Sequence, residues 1–372
     1  MRKNNFKIRI ALFFLAFSFL SGFAYSQKKA IQFVSKPPVF LYNNKISLKI
    51  NTAGGAMVGF EFKDQKVNPL SWVLPSNWSP KNNQKGAIFQ GHFLCLGRWG
   101  APSDGEIAKG VPHNGEQTVY NWDINSQTSN TLVMSYKAQL DLLSVKRTVS
   151  MPENNSIVYV TEDVKNYGTQ GRLNNIVQHV TLGAPFLSTK TLINSNFGKG
   201  FNQTDTINQL EKRYFEFPIS YRNEDTIDYR SCAEPSNYCA SFIAKNGDKY
   251  GWVTAFNPEI NLIIGYVWKV EEYPWLNIWH HIENGVPRSE GIEFGTCGLG
   301  KPYKTLVENN TSFFGHQSFE YIDAGETKTK NYIMFLQKSA KNIKNINVNI
   351  DPELEPKFEK GSIKALKLAF DY

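Results

Sequence analysis

Apolar residues recur at every second position along much of this chain, and the spacing typical of a helix is scarce. Residues 46–50 alternate cleanly, while residues 156–164 and 261–269 form longer runs rich in Ile, Val and Tyr. Alternate side chains of a strand share one face, so these runs are typical of β-strands. Clusters of turn-forming residues separate the runs, at residues 51–55, 152–155, 166–168 and 284–285. The pattern predicts an all-β fold of many antiparallel strands, either a sandwich or a barrel.

The first 26 residues have the pattern of an export signal. Basic residues precede an apolar run from residue 10 to about residue 23, and Ala24 and Ser26 then supply the small side chains that a signal peptidase reads. We predict cleavage before Gln27. The interrupted apolar run is shorter than the roughly 20 residues of a spanning helix, and an uncleaved anchor is the alternative. We therefore expect an exported protein, periplasmic or extracellular, with no membrane span after cleavage.

The length of the mature chain favours one large domain. Subtracting the 26 signal residues from 372 leaves about 346 residues, which is long for one ordinary domain and short for two. Large β-sandwiches reach this size as a single unit, and no segment in the middle of the chain has the composition of a linker. We predict that residues 27–372 form a single β-sandwich domain. The sequence does not indicate an oligomeric state.

The charge pattern argues against a nucleic-acid partner. The formal net charge is +8, and the four basic residues of the signal segment account for half of it, which leaves about +4. The remaining Lys and Arg alternate with Asp and Glu, whereas a nucleic-acid-binding protein presents a basic stripe. Ordinary solubility explains the small excess, with an anionic polysaccharide as a second possibility.

The four cysteines do not have the spacing of a metal site. Cys232 and Cys239 close a short loop, so a disulfide between them and a pair of free thiols are both open. Cys95 and Cys297 lie in apolar segments and are expected to be buried thiols. No histidines flank these cysteines as zinc sites require, and the chain has no phosphate-binding glycine loop or serine nucleophile elbow. We expect no metal and no cofactor.

Several segments are predicted to be irregular. Residues 74–115 are expected to form a long loop over one sheet face, and residues 196–234 a second loop. Residues 338–360 are predicted to be an extended surface segment, and residues 362–368 a short helix or a last strand. Long ordered loops on a sheet scaffold are where function tends to lie.

An isolated glutamate and an isolated histidine suggest acid–base chemistry. Glu293 lies between two apolar residues on a predicted strand, and His179 lies at a strand end that leads into a loop. A glutamate at such a position either faces solvent or points into a cavity, where burial would raise its pKa. A lone histidine is more often structural, but a glutamate and a histidine together supply a proton donor and a proton acceptor at neutral pH.

The order of these motifs resembles the galactose mutarotase-like superfamily, the relatives of the aldose 1-epimerases, over residues 43–337. The early Gly54-Gly55 turn, Gly97-Arg98, the loop with His113, Gln178-His179 and Ile292-Glu293-Phe294 carry the resemblance. The resemblance implies a large antiparallel β-sandwich that needs no cofactor. By the same resemblance, Glu293 would be the base, His179 the acid, and His113 and Arg98 would bind sugar hydroxyls.

Tryptophans near these motifs suggest stacking on a sugar ring. Trp99 follows Arg98, and Trp279 precedes His280 and His281, so an indole and polar groups stand side by side in both places. We predict that Trp99, Trp279 and His281 contact the ligand. Core packing is the alternative for most tryptophans, and we expect two or three of the following seven to face a groove: Trp72, Trp78, Trp99, Trp122, Trp268, Trp275 and Trp279.

Three hypotheses for function follow from the sequence, all with a sugar or polysaccharide as the ligand. The first is a carbohydrate-active enzyme with aldose 1-epimerase-like chemistry. The second is a non-catalytic carbohydrate-binding protein, which gains weight because Asn114, Gln178 and Phe294 depart from the epimerase motifs. The third is a polysaccharide lyase on the same fold, which would need a base near a cation from the following set: Tyr266, Tyr273, His280 and Arg288.

Overall fold

The strands of this protein build two large antiparallel sheets. The computed structural model describes residues 36–75, 86–222, 225–233, 237–349 and 365–370. The predicted signal segment and its cleavage site lie outside these residues. No helix in the described part of the chain has the length and apolar character needed to cross a membrane.

The strands of the first half of the chain are short or of medium length. They are β1 (Val39–Tyr42), β2 (Ile46–Ile50), β3 (Met57–Phe62), β4 (His92–Leu96), β5 (Asp123–Gln127), β6 (Thr131–Ala138), β7 (Leu143–Ser150), β8 (Ile157–Asn166), β9 (Arg172–Asn174), β10 (Ile176–Leu182) and β11 (Leu192–Ser195). One α-helix, α1 (Asp104–Ala108), and a 3-10 helix, Glu116–Thr118, lie between β4 and β5.

The second half of the chain contains the longest strands. They are β12 (Lys199–Asn202), β13 (Phe215–Glu216), β14 (Ile219–Arg222), β15 (Asp225–Asp228), β16 (Tyr238–Ile243), β17 (Tyr250–Asn257), β18 (Leu262–Lys269), β19 (Trp275–Glu283), β20 (Val286–Gly295), β21 (Ser312–Phe313), β22 (His316–Gln317), β23 (Glu320–Ile322), β24 (Thr327–Lys338), β25 (Ile343–Asn349) and β26 (Ala365–Phe370). A 3-10 helix, Ile207–Gln209, follows β12, and α2 (Tyr303–Glu308) follows β20.

Twelve of the described strands form the first sheet and eight form the second. The order in the first sheet is β1-β2-β3-β4-β10-β20-β19-β16-β12-β13-β14-β15, and in the second β11-β17-β18-β24-β8-β7-β6-β5. Smaller two-stranded ribbons are β21-β22, β9-β23 and β25-β26. The pairings are antiparallel throughout both sheets. The predicted all-β antiparallel sandwich is thus confirmed.

Aromatic side chains fill the space between the two sheets. Phe294 of β20 stacks on Trp268 of β18 with ring centroids 4.2 Å apart. Tyr266, Tyr273 and Tyr332 contact the same phenyl ring at larger angles. All five side chains are buried, and aromatic rings of this size contribute much of the apolar area that a core removes from water. This cluster holds the centre of the first sheet against the second.

A buried polar network also joins the sheets beneath the centre of the first sheet. Arg147 of β7 pairs with Glu162 of β8 at 2.7 Å, and Glu162 accepts a second hydrogen bond from Gln178 of β10 at 2.7 Å. The Gln178 amide oxygen lies 3.0 Å from a ring nitrogen of His92. A buried ion pair is tolerated when its remaining groups are hydrogen-bonded. Because Gln178 points into this network, its neighbour His179 points to the opposite face of the sheet.

Two predictions of irregular structure are wrong in part. Residues 196–234 contain β12 to β15, which extend one edge of the first sheet. Residues 74–115 contain β4, a central strand of that sheet, although Leu74, Phe89 and His113 of the segment do lie over one face of the sheet. In the tail, β25 and β26 form a ribbon, so residues 365–368 are a strand and not a helix.

The possible disulfide between Cys232 and Cys239 is not formed, because the two thiols lie on opposite faces of the first sheet. Cys232 is buried in the core between the sheets and hydrogen-bonds to Glu290. Cys239 of β16 faces the other way. Cys95 and Cys297 are buried free thiols, as predicted.

Candidate active site

A cavity of about 580 Å³ lies on the face of the first sheet that is turned away from the second. It is built over the central strands β4, β10, β20 and β19, and loops before and after β4 complete its walls. Its surface is mainly apolar, with five Trp or Phe side chains and six polar ones among the lining residues: Trp72, Leu74, Phe89, Phe93, Trp99, Gly100, His113, Asn114, His179, Gln203, Cys239, Trp279, His281, Glu293 and Gly300. A concave, largely apolar pocket with few convergent polar groups is the usual form of a small-molecule site.

Glu293 has both carboxylate oxygens occupied by neighbours. It lies on β20 directly before Phe294, and strand alternation sends the phenyl ring into the core and the carboxyl group into the cavity. The Trp99 indole donates a hydrogen bond to Oε2 at 2.9 Å. His179 Nε2 lies 3.3 Å from Oε1. The residue is only 1% exposed, so nearly all of the water around this carboxyl group is excluded.

Burial controls the protonation of Glu293. It raises the pKa of this carboxyl group to about 8, and the hydrogen bond from Trp99 opposes part of the rise. Burial disfavours the charged form of an acid, whereas a donor that points at the carboxylate favours it. At neutral pH the carboxyl group therefore holds its proton in the unliganded protein.

His179 is the second half of the pair. It lies on β10 and stacks on Phe93 of β4, with ring centroids 4.3 Å apart. Its Nδ1 lies 3.1 Å from the Thr181 hydroxyl oxygen. Burial, with a smaller contribution from the nearby His113, lowers its pKa to about 3, so the imidazole is neutral at neutral pH. The pair is then a neutral carboxyl group beside a neutral imidazole, so a proton donor faces a proton acceptor.

A glycine on β20 makes room for this pair. Gly291 lies opposite Thr181 of β10 and Trp279 of β19. A Cβ atom at Gly291 would lie 2.8 Å from Glu293 Oε1 and 3.1 Å from the Cβ of Trp279. Atoms do not approach so closely without displacement, so any side chain at this position would move the carboxyl group.

His113 and Asn114 form a wall of the cavity. The His113 ring meets the Phe89 ring edge-on at 5.9 Å, and burial lowers the His113 pKa to about 4. Asn114 has a positive φ of 59°, which asparagine tolerates better than most residues. Its side-chain oxygen accepts a hydrogen bond from the Gly100 amide at 2.7 Å. This contact ties the His113 loop to the segment that carries Trp99.

The opposite wall comes from β19 and the chain after β12. Trp279 and His281 share the cavity face of β19, and the Trp279 ring lies 6.3 Å from His179. Trp72 packs edge-on against Trp279 at 5.8 Å. Gln203 accepts from the Gly300 amide at 3.2 Å and donates to the Ser241 hydroxyl at 2.8 Å.

The structure brings together most of the residues that the sequence singled out. Glu293, His179, His113, Trp99, Trp279 and His281 all line the cavity. Trp99 uses its indole N–H on Glu293, so its polar atom is engaged with the protein.

Arg98 is the exception among the predicted site residues. Its guanidinium group points away from the cavity, to Asp141 at 2.8 Å and to Glu106. Arg98 does not line the cavity, which counts against the predicted contact with sugar hydroxyls, and two of its nitrogens are engaged by carboxylates.

Sequence reasoning did not single out several lining residues: Trp72 as distinct from the other tryptophans, Phe89, Phe93, Asn114, Gln203 and Cys239. Phe93 had no signal in the sequence, because its place opposite His179 follows only from the pairing of β4 and β10. Gln203 had none, because it reaches the cavity only after β12 pairs with β16. Among the seven tryptophans considered, Trp72, Trp99 and Trp279 line the cavity, Trp122, Trp268 and Trp275 are buried away from its lining, and Trp78 lies outside the described residues.

The described residues include no group of three or more His, Cys, Asp or Glu side chains arranged to hold a metal ion. No protein-family model and no curated protein matches the sequence.

Solved structures of the galactose mutarotase-like fold resemble this one over most of its length. A galactose mutarotase related enzyme from Lactobacillus acidophilus matches with a TM-score of 0.60 at 9% identity, covering 83% of this chain and 100% of its own. A galactose mutarotase-like protein from Clostridium acetobutylicum matches with a TM-score of 0.59 at 14% identity, covering 82% and 98%. A protein from Escherichia coli K12, provisionally assigned as an aldose 1-epimerase, matches with a TM-score of 0.54 at 13% identity, covering 81% and 99%.

These likenesses show the fold. The chain is a galactose mutarotase-like β-sandwich, as the sequence resemblance predicted.

Proposed function

We propose that this protein is a carbohydrate-active enzyme that interconverts the anomers of a neutral sugar. The observation that carries the proposal is the contact between Glu293 and His179, 3.3 Å apart in a mainly apolar cavity of about 580 Å³. Anomer exchange needs one protein group that accepts a proton from the ligand and one that donates a proton to it, and no nucleophile. A fold alone does not license an activity, so the pair, and not the sandwich, is the basis of the proposal.

The proton transfers of this reaction balance between the ligand and the Glu293–His179 pair. One group takes the proton of the anomeric hydroxyl while the other gives a proton to the ring oxygen, and the bond between the anomeric carbon and the ring oxygen breaks. The resulting aldehyde rotates, and the same transfers in reverse close the ring on its other face. The resemblance assigns the base to Glu293 and the acid to His179. In the unliganded pair the proton resides on Glu293, so we assign the two roles to the coupled pair.

The lining of the cavity favours a neutral ligand. None of its described residues is a lysine or an arginine, and the guanidinium group of Arg98 is engaged with Asp141 and Glu106. A uronate or a sugar phosphate would place its anion in this cavity without a cation to offset the cost of removing it from water. Trp72 and Trp279 offer aromatic surfaces for the apolar C–H faces of a sugar ring.

The residues considered for a lyase lie elsewhere in the fold. Tyr266 and Tyr273 are buried in the core between the sheets, and His280 pairs there with Glu290. Arg288 pairs with an exposed carboxylate, Glu283, at 3.2 Å. A lyase at the cavity would thus lack the base and the cation that the sequence offered for it.

Anomer exchange followed by NMR tests the proposal. Freshly dissolved α-galactose, α-glucose and rarer aldoses are mixed with the mature protein, and the rate of approach to the anomeric equilibrium is measured. We expect acceleration for at least one sugar, with a loss of about 10²–10⁴-fold in the Glu293→Gln and His179→Ala variants, the usual contribution of a general acid or base. The matched controls Glu308→Gln and His316→Ala, whose side chains lie outside the cavity lining, should keep the full rate.

Two outcomes would contradict this assignment. An undiminished rate in Glu293→Gln would remove Glu293 from the chemistry. Saturable sugar binding with no acceleration of any sugar would instead identify a carbohydrate-binding protein, the second hypothesis from the sequence.

A further inference from the structure

A buried ion cluster lies behind Trp99, outside the cavity. Arg98 donates from one nitrogen to Glu106 and from another to Asp141 Oδ1, the latter at 2.8 Å. Arg172 donates to the same Asp141 oxygen at 3.1 Å. Arg98 is 5% exposed and Asp141 1% exposed. Taking two such charges out of water is costly, and none of these groups touches the cavity, so the acid–base pair makes no direct use of them.

The cluster fixes the backbone on the N-terminal side of Trp99. Gly97 has a φ of 81°, and a Cβ atom there would lie 3.0 Å from the Asp141 carboxyl group. Only glycine allows this approach in this conformation. The carbonyl oxygen of Gly97 also accepts a hydrogen bond from the Tyr303 hydroxyl of α2, and the Arg98 guanidinium group lies over the Tyr303 ring at 5.7 Å.

The backbone on the C-terminal side of Trp99 is fixed as well. The Gly100 amide donates to Asn114, and Gly100 packs directly on the backbone of Gly300, where an added Cβ would lie 3.2 Å from the Gly300 oxygen. Trp99 is thus held between two anchored residues, and its single N–H donor has Glu293 Oε2 as its partner.

We propose that Arg98 and Asp141 are positioning residues for the acid–base pair. They hold residues 97–100 so that the Trp99 N–H stays on Glu293 Oε2, which leaves Oε1 as the oxygen that meets His179 and the ligand. The inference rests on the proposed function for its effect on turnover, whereas the positioning itself is a property of the folded protein and is measurable without a sugar.

The Trp99 indole provides the readout. In ¹H–¹⁵N spectra, the indole N–H resonance that is absent from Trp99→Phe identifies this group, and its shift should follow the protonation of Glu293. We expect one titration in the wild-type protein and none in Glu293→Gln. Loosening the cluster should weaken the hydrogen bond to the carboxylate, so Asp141→Asn and Arg98→Gln should move the midpoint upward by about one pH unit.

The control is an ion pair of similar kind that lies away from the cavity. Lys330 and Glu320 are 2.8 Å apart and mostly buried. Glu320→Gln should lower the resistance to urea as the cluster variants do, but it should leave the midpoint unchanged. A merely structural cluster would give three destabilised variants and no shift in any of them, and that result would overturn the proposal.

A further variant and a comparison with turnover complete the test. If Asp141→Asn does not fold, Glu106→Gln removes the more exposed partner of Arg98 and should give a smaller shift in the same direction. An unchanged midpoint in folded Glu106→Gln and Arg98→Gln would also overturn the proposal. If the wild-type protein accelerates no sugar but the midpoints shift as expected, the proposed function fails and the positioning stands.

Discussion

The carboxyl group of Glu293 is buried with a neutral imidazole and a neutral indole as its polar neighbours. Its ordinary pKa of 4.5 is raised to about 8 in the folded protein. A folded-state pKa above the unfolded value means that the protonated form stabilises the fold, and that this contribution is lost as the pH rises from about 4.5 to about 8. Relative to an uncharged side chain of the same shape, Glu293 therefore lowers the free energy of unfolding at neutral and alkaline pH.

Replacing Glu293 by the isosteric amide should recover that free energy. We expect Glu293→Gln to unfold at higher urea concentration than the wild type at pH 8, with a gain on the order of 4 kcal/mol. The gain should nearly vanish at pH 4.5, where the wild-type carboxyl group is protonated in the folded state and about half protonated in the unfolded state. Urea unfolding at both pH values measures it. Glu308→Gln, at an exposed position of α2, should show no such pH dependence, and an equal gain at both pH values would refute the account.

At the scale of residues, the sequence predicted which side chains lie at the site better than it predicted what each of them does there. Glu293 and His179 were visible because each is a polar residue in an apolar strand. Arg98 looked equally convincing, yet its partner Asp141 is 43 positions away, beyond β5 and β6. Nothing in the sequence around Arg98 indicates that its guanidinium group will pair with a buried carboxylate. A side chain's partner depends on tertiary contacts, so its role could not be predicted from its neighbours in sequence.

At the scale of elements, the site depends on two strands that are far apart in sequence. Strands β10 and β20 lie side by side at the centre of the first sheet, with Val177 opposite Gly295 and Thr181 opposite Gly291. The period of two within each strand was readable from the sequence, whereas the order of strands in the sheet was not. Residues 196–234 were interpreted as a loop because β12 to β15 have only two to four residues each, which is too short for alternation to register.

The glycine of β20 gives a test at this scale. We expect Gly291→Ala to fold but to lose most of its anomer-exchange rate, because the new methyl group would lie 2.8 Å from Glu293 Oε1 and must displace it from His179. Ser289→Ala is the matched control, a buried position two residues earlier on the same face of the same strand, where the change removes one atom and adds none. NMR of anomer exchange and urea unfolding together separate lost chemistry from lost stability. Full activity in Gly291→Ala would show that the carboxyl position is not critical.

At the scale of the whole molecule, the two sheets are held together beneath the site by the aromatic cluster around Phe294. This ring stacks on Trp268 of the opposite sheet and follows Glu293 directly in the chain. The all-β class and the size of the core were predictable from alternation and from the 26 phenylalanines. The particular stack was not, because it depends on which strands of the two sheets face each other.

Truncating this ring should loosen the whole sandwich. We expect Phe294→Ala to lower the free energy of unfolding by about 3–5 kcal/mol, the range for a large aromatic side chain removed from a core. Urea denaturation measures the change, with Phe40→Ala as the control because that ring is 52% exposed on the edge strand β1. Equal losses in the two variants would show that the stack is not central to the core.

The Glu293–His179 pair stands on central strands, whereas Trp72, Gly100 and His113 stand on the segments before and after β4. A central strand pairs with a neighbour on each side, so it tolerates few changes of sequence. Connecting segments tolerate substitutions and insertions more readily. On the proposed function, the reaction would therefore depend on the strands and on Trp99, and the choice of sugar on the other wall residues. Exchanging the wall segments other than residues 97–100 with those of another sandwich of this fold should then change which sugar is used, while the contacts among Trp99, Glu293 and His179 are kept.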